Sequence, residues 1–230
     1  MSSLSFARIS GLTFTLLSAF LMCGCCAFGP ARNTAKADSD DPCPSIRNLS
    51  VVTPNVLWRG GRPDKNGAAC LIQQGVRTIV NLELIHDDKN AFTHAAVDNN
   101  NYEAGYFRIH DWEPLTLLAP SAEDDHVAHF LAIVSRQPKP VYVHCRCGTQ
   151  RTSVMVAAYR VLIEGVSDEE AIAELRGYRQ GPWAGVDAKY LRALSKRREK
   201  IHRKVMEWIP KLKMDAKVVC ANGACAVSDQ

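Results

Sequence analysis

From about residue 50 onward, hydrophobic positions alternate between two spacings. Short apolar runs rich in β-branched and aromatic residues, over 51–58, 76–84, 105–109 and 140–143, read as strands, and the last, entered through Pro140, is apolar throughout, like a strand buried on both faces. Helical stretches lie between and after them. Asp64 is placed to cap a helix over 65–74 that Gly75 ends, and a second helix is expected over 126–135, with Asp124 and Asp125 serving its N-terminal dipole. Residues 153–163, with Val154, Met155, Val156, Ala157, Ala158, Val161, Leu162 and Ile163, are apolar on nearly every side and predict a buried helix. Ser167-Asp168-Glu169-Glu170 is a capping box for a helix over 171–178. A last, long helix is expected over 187–212, with Leu191, Leu194, Ile201, Val205, Trp208 and Leu212 on one side and a basic, solvated face opposite. Polar residues 87–101 carry no pattern. This alternation predicts an α/β domain with a central, mostly parallel sheet flanked by helices.

The two ends of the chain depart from the alternation. Arg8 is the only charge before a mostly apolar run over 9–22, and no acidic residue precedes Asp38, so residues 1–25 read as a secretion signal. Its end, Leu21-Met22-Cys23-Gly24-Cys25, resembles a lipobox, which would make Cys25 a lipidated membrane tether; Met22 and Cys23 are not the favoured residues at their positions. Residues 26–45 read as a polar tether, 46–212 as the folded domain and 213–230 as a polar C-terminal tail. Export places the protein in the periplasm or on the membrane, where cysteines tend to pair. Cys220 and Cys225 enclose an Asn-Gly turn and are candidates for such a pair. A chain of 230 residues, 47% hydrophobic with net charge +4, is large enough for one domain with a sizeable core. It has no basic patch interleaved with aromatics, so nucleic acid is not an expected partner.

The chemistry concentrates in His144-Cys145-Arg146-Cys147-Gly148-Thr149-Gln150-Arg151-Thr152, which lies between a predicted strand and a predicted buried helix. A strand end, a tight loop and a helix N-terminus make an anion site. Attack on phosphorus needs a thiolate, and a free thiol titrates near 8.5, so the loop must favour the anion at Cys145. Backbone amides from Arg146, Cys147, Gly148, Thr149 and Gln150 to Arg151, with the helix dipole, would do so while cradling a phosphate. The planar fork of Arg151 suits two equatorial phosphoryl oxygens, Gly148 lets the amides turn inward, and the Thr152 hydroxyl can donate to the cysteine sulfur. His144 would order the loop. Cys147 either fills a small apolar niche or offers a thiol to an oxidised Cys145. A structural zinc site would want further paired ligands, whereas Cys43, Cys70, Cys220 and Cys225 are scattered, so neither metal nor other cofactor is expected.

HC-x5-R-T after a strand resembles the signature loop of the protein tyrosine and dual-specificity phosphatase superfamily. Leu57-Trp58-Arg59-Gly60-Gly61-Arg62-Pro63, Gly75-Val76-Arg77-Thr78-Ile79-Val80-Asn81-Leu82 and Arg151-Thr152-Ser153-Val154-Met155-Val156-Ala157-Ala158-Tyr159-Arg160 are similar to its bacterial and atypical dual-specificity branch, over roughly residues 50–195. Cys147 and Gln150 depart from the residues common at their positions. The resemblance implies a cysteine-phosphatase fold, a cysteinyl-phosphate intermediate and an aspartate general acid on a loop upstream of the nucleophile, which places that role at Asp111 with Glu113 as substitute. Arg59 and Arg62 either line the substrate mouth or belong to a plain turn. The substrate is then a phosphorylated protein or a small phosphorylated molecule such as an inositol phosphate, for which Arg146 leaves room. Two other classes share the loop chemistry: a phosphate-binding module without turnover, and a rhodanese-type sulfurtransferase, whose loop is commonly one residue shorter.

Overall fold

The computed structural model describes residues 42–97, 101–112, 114–178 and 182–230. The expected signal sequence, its expected lipidation site at Cys25 and nearly all of the expected tether therefore lie outside the described residues. Seven strands form one sheet: β1 (Ser50–Thr53), β2 (Leu57–Gly61), β3 (Thr78–Asn81), β4 (Tyr102–Arg108), β5 (Val141–Cys145), β6 (Ala216–Ala221) and β7 (Ala224–Asp229), in the order β1-β2-β5-β3-β4-β6-β7. The middle four, β2-β5-β3-β4, are parallel, and β1, β6 and β7 extend them antiparallel at the edges. The expected parallel sheet is thus the centre of a mixed one.

Alternating side chains build a core on each face. Leu57, Val80, Phe107, Val141 and Val143 face one cluster, while Trp58, Ile79, Tyr106 and Tyr142 face the other. Helix α1 (Lys65–Gln73) and the short α2 (Lys89–Thr93) cover the second cluster. Helices α4 (Pro120–Arg136), α5 (Arg151–Tyr159), α6 (Asp168–Tyr178), α7 (Pro182–Leu191) and α8 (Arg198–Trp208) cover the first, and α3 (Leu115–Leu118) is a single turn ahead of α4. Every residue of α5 from Thr152 to Tyr159 is buried, as its all-round apolar pattern predicts. The Asp64 cap donates no proton but accepts one from Gly67 N at 2.7 Å, and the Ser167–Glu170 box closes in both directions.

Four boundaries differ from the sequence expectation. The run 51–58 is two strands, because Pro54 and a left-handed Asn55 (φ 58°) turn the chain between them. The long helix over 187–212 is broken at Ser195, whose backbone N–H and hydroxyl both donate to Asp168 and leave a 3₁₀ turn between α7 and α8. Helix α4 begins at Pro120, not His126, so Asp124 sits in its second turn. Buried there, it accepts from Tyr190 at 2.9 Å and pairs with Arg197 and Lys200, tying α4 to the helices beyond. Residues 213–230 are not a tail: β6 continues the sheet along β4, and Asn222 and Gly223, both at positive φ, turn the chain into β7. A disulfide joins Cys220 to Cys225 across that hairpin, and a second joins Cys43 to Cys70, which brings the end of the expected tether onto α1.

Candidate active site

Cys145 is the last residue of β5, the strand between β2 and β3, and Arg151 is the first of α5. The loop between them turns at Gly148 (φ 71°), where a Cβ would lie 2.5 Å from the carbonyl carbon of Gly60. Only glycine suits both the left-handed backbone and that approach. The neighbouring chain then fixes which way the loop peptides point. Arg62 N donates to Arg146 O at 3.3 Å, Asn48 Nδ2 to Cys147 O at 2.8 Å and Arg59 Nη2 to Gly148 O at 2.7 Å, while the Ser153 hydroxyl donates to Thr149 O at 2.6 Å. With four successive carbonyls held outward, the intervening amides turn toward the centre of the loop, which is the arrangement that binds an anion.

Arg59 is central to this bracing. It is 1% exposed, lies 3.6 Å over the ring of Tyr178 and also donates to Ser153 Oγ at 2.6 Å. Of the two sequence alternatives for Arg59, neither is met: it props the loop from below. Arg62 instead pairs with Glu83, Nε donating at 2.7 Å.

Cys145 is a free thiol, 3% exposed. Burial pushes its pKa up, but the charge of Arg151, the Thr152 hydroxyl and the backbone amides of Thr152 and Cys147 outweigh it and hold the thiol below its ordinary value. The Thr152 hydroxyl has no conventional partner elsewhere, consistent with its facing the sulfur. Cys147 is buried and is not a free thiol, so the expectation that it captures an oxidised Cys145 as a nearby thiol is not met.

Beneath Cys145, His144 is fully buried, stacked on Tyr142, with Nε2 3.2 Å from Asp88 Oδ2. Asp88 also accepts from Asn81 Nδ2 at 2.8 Å and from the Tyr106 hydroxyl. Burial opposes both charges, yet their mutual attraction wins: His144 is held above its usual pKa and Asp88 is lowered to about 2. His144 and Asp88 thus form a buried ion pair beneath the loop.

Arg151 Nη1 donates to Leu82 O at 3.1 Å and to Asp111 O at 3.3 Å, drawing the ends of β3 and β4 toward the loop. Asp111, 1% exposed, lines a small cavity with Thr116, Glu123, Gln150, Arg151 and Asp187. The structure thus brings the expected general acid next to Gln150 and Arg151; Glu113 lies outside the described residues. Asp111, Glu123 and His126 each place one potential ligand atom within 4.8 Å of the others, and Asp111 Oδ1 is 3.4 Å from His126 Nδ1. Glu123 is held well above the ordinary carboxyl range, first by burial and then by the charges of Asp111 and Asp187. Arg146 and Thr149 differ in access, the first exposed and the second buried.

Arg59, Asn48, Ser153, Asp88 and Glu123 were not singled out for these roles in the sequence. Ser153 follows the Arg-Thr pair directly and carried a local signal; the others reach the site from far along the chain.

A family model described as DSP-PTPase phosphatase fused to NAD+ kinase matches residues 44–192. The chain is 30% identical over 179 residues to the dual specificity protein phosphatase TpbA of Pseudomonas aeruginosa, a match spanning 76% of this chain and 73% of that protein. It is 36% identical over 107 residues to NAD kinase 2, chloroplastic, of Arabidopsis thaliana, covering 45% of this chain but only 10% of that much longer protein. Among solved structures, P. aeruginosa TpbA superposes with a TM-score of 0.54 at 22% identity, over 69% of this chain and 92% of that one. The core catalytic domain of the PP-IP phosphatase SIW14 from S. cerevisiae, in complex with citrate, superposes at 0.52 and 18% identity, over 71% and 95%. These structures share the fold, and on the family match together with the TpbA relationship the chain belongs to the DSP-PTPase phosphatase family.

Proposed function

We propose that this chain hydrolyses phosphomonoesters through a cysteinyl-phosphate. The observation that carries the reading is the buried Cys145 thiol, held below its ordinary pKa at the mouth of a loop whose carbonyls are braced outward. The Cys145 thiolate attacks phosphorus, forming the S–P bond as the ester P–O bond breaks. Arg151 and the loop amides hold the equatorial oxygens, and Asp111 gives its proton to the leaving oxygen. Asp111 then takes a proton from water as that water attacks the thiophosphate. The Thr152 hydroxyl stabilises the departing sulfur, and inorganic phosphate and the thiolate result.

For the substrate we infer a phosphorylated protein, with phosphotyrosine as the main class and dual specificity open. Leu84, Ile85, Trp112, Leu117 and Leu118, from 39% to 77% exposed, follow the ends of β3 and β4, where the carbonyls of Leu82 and Asp111 accept from Arg151. An apolar rim suits a peptide bearing an aromatic ester; a compact polyanion would want a rim of lysine and arginine. TpbA, the relative above, has been crystallised as a variant in complex with pTyr. Exposed Arg146 favours the inositol-phosphate alternative, so the two substrates belong in one assay.

We further infer export, by the N-terminal signal and with lipidation at Cys25 as membrane tether. Two disulfides among the described residues support an oxidising compartment. Globomycin sensitivity of processing and labelling with a palmitate analogue test it; a cytoplasmic, unprocessed chain contradicts it.

The function is tested by turnover of p-nitrophenyl phosphate, a phosphotyrosyl peptide and an inositol polyphosphate. Cys145→Ser is expected to lose nearly all hydrolysis and Arg151→Lys most of it, since a point charge cannot reproduce the bidentate fork. Full activity in Cys145→Ser rejects the mechanism, and faster turnover of the inositol polyphosphate than of the peptide rejects the substrate class.

A further inference from the structure

A general acid has to carry a proton at working pH, and an ordinary aspartate near pKa 3.9 carries almost none at neutrality. Asp111 sits beside a second buried carboxyl. Its two carboxylate oxygens are buried and without a hydrogen-bond donor. The carboxyl of Glu123, 2% exposed on α4, approaches to within 4.8 Å. Two such groups, buried side by side, cannot both ionise at modest cost.

Several charged groups surround the pair. Glu123, Asp124 and His126 face it from α4, Asp187 from α7 and Arg151 from α5. Asp124 is matched by Arg197 and Lys200, and Asp187 accepts from the Thr116 hydroxyl at 2.9 Å. Arg151 is turned to the Asp111 backbone carbonyl. Among the described residues this leaves Asp111 and Glu123 side by side, with His126 Nδ1 3.4 Å from Asp111 Oδ1.

We propose that Glu123 is a positioning residue for the reaction: it and Asp111 hold one proton between them, so that Asp111 enters the phosphoryl-transfer step protonated. The inference rests on the reading of Asp111 as general acid. No further reactant is needed. Giving that proton to the leaving oxygen takes the pair from the shared-proton monoanion to the dianion, and the proton is restored from the water that attacks the thiophosphate. Loss of the last proton belongs to the pair and occurs late, because the second negative charge must form beside the first in a buried site.

The pH profile of kcat/KM for a phosphotyrosyl peptide tests this. Glu123→Gln leaves a neutral amide that donates to the Asp111 carboxylate and favours its ionised form, so the alkaline limb is expected to move toward acid by about one pH unit or more. Glu123→Asp keeps a second carboxyl and should keep most of the limb in place. Asp111→Asn should remove the limb altogether and slow alkyl phosphates more than aryl phosphates. If Glu123→Gln gives the wild-type limb while Asp111→Asn removes it, the proposal is wrong and the general acid stands. If Asp111→Asn leaves the limb where it was, both fail. Should Glu123→Gln not fold, carboxyl-carbon NMR titration of the wild-type protein decides: a Glu123 resonance and an Asp111 resonance that titrate together support the pair, and a Glu123 that ionises in the ordinary carboxyl range overturns it.

Discussion

At the scale of single residues, the account turns on how each side chain changes the charge that Cys145 tolerates. Burial alone would raise the thiol, and Arg151, the Thr152 hydroxyl and two amides reverse that. Activity depends on the thiolate, so it rises with pH through the Cys145 pKa, and a lowered pKa puts the acid limb of kcat/KM below the usual thiol range. Thr152→Val removes one of the lowering contacts, and its acid limb should therefore shift to higher pH; an unmoved limb would show that the hydroxyl does not reach the sulfur. Gly148 is constrained more tightly still. A Cβ there meets Gly60 at 2.5 Å on a backbone that L residues avoid, so Gly148→Ala has to displace the loop. A displacement of an ångström at reacting groups costs about a hundredfold, and kcat/KM should fall by that order while circular dichroism still reports the folded chain.

The elements matter because three parallel strands end together, and what they carry at those ends meets. β5 brings His144 and Cys145, β3 leads to Asp88 and β4 to Asp111. The pair of His144 with Asp88 ties two of these ends, and its pH dependence has a defined sign. Asp88, lowered to about 2, contributes stability above about pH 4 that is lost as pH falls toward 2. His144 is raised, so its contribution is full below about pH 6.5 and is lost as pH rises through the folded value. Both are therefore present between about pH 4 and 6.5. Asp88→Asn leaves His144 without its counter-charge and should cost about 3–5 kcal/mol in urea melts within that window, with a smaller loss at high pH; an equal loss at all pH values would argue for packing instead of charge. Much of this element-level arrangement was legible in the sequence. The loop was readable because its thiol, guanidinium, glycine and hydroxyl lie within eight consecutive residues between two apolar runs. Arg59 and Asp88 were not readable, since each acts only after strands far apart in the chain become neighbours, and Glu123 only once α4 packs beside Asp111. The break at Ser195 also needed a distant partner, Asp168, whereas β6 did carry a period of two in Ala216, Val218 and Cys220, masked by the polar residues around it.

Across the whole molecule, the described chain is a mixed sheet with two cores, closed at each end by a disulfide. Cys43–Cys70 fastens the first described residues to α1, and Cys220–Cys225 fastens the last two strands to each other. The first closes a loop spanning 27 positions, for which chain entropy gives about 3.5 kcal/mol, so a Cys43→Ser/Cys70→Ser variant should melt several degrees below the wild type, and an unchanged Tm would show that the bond adds little. That arrangement serves one task, which is to present a thiolate at the end of the central strand to a phosphoryl group. The most direct measurement is rapid-quench trapping of the enzyme during turnover of a phosphotyrosyl peptide at mildly acidic pH, followed by peptide mass spectrometry. A phosphoryl group on the Cys145 peptide that forms and decays at rates compatible with kcat is the predicted result, and turnover without any phosphorylated cysteine, or with the phosphoryl group on another residue, would contradict the account.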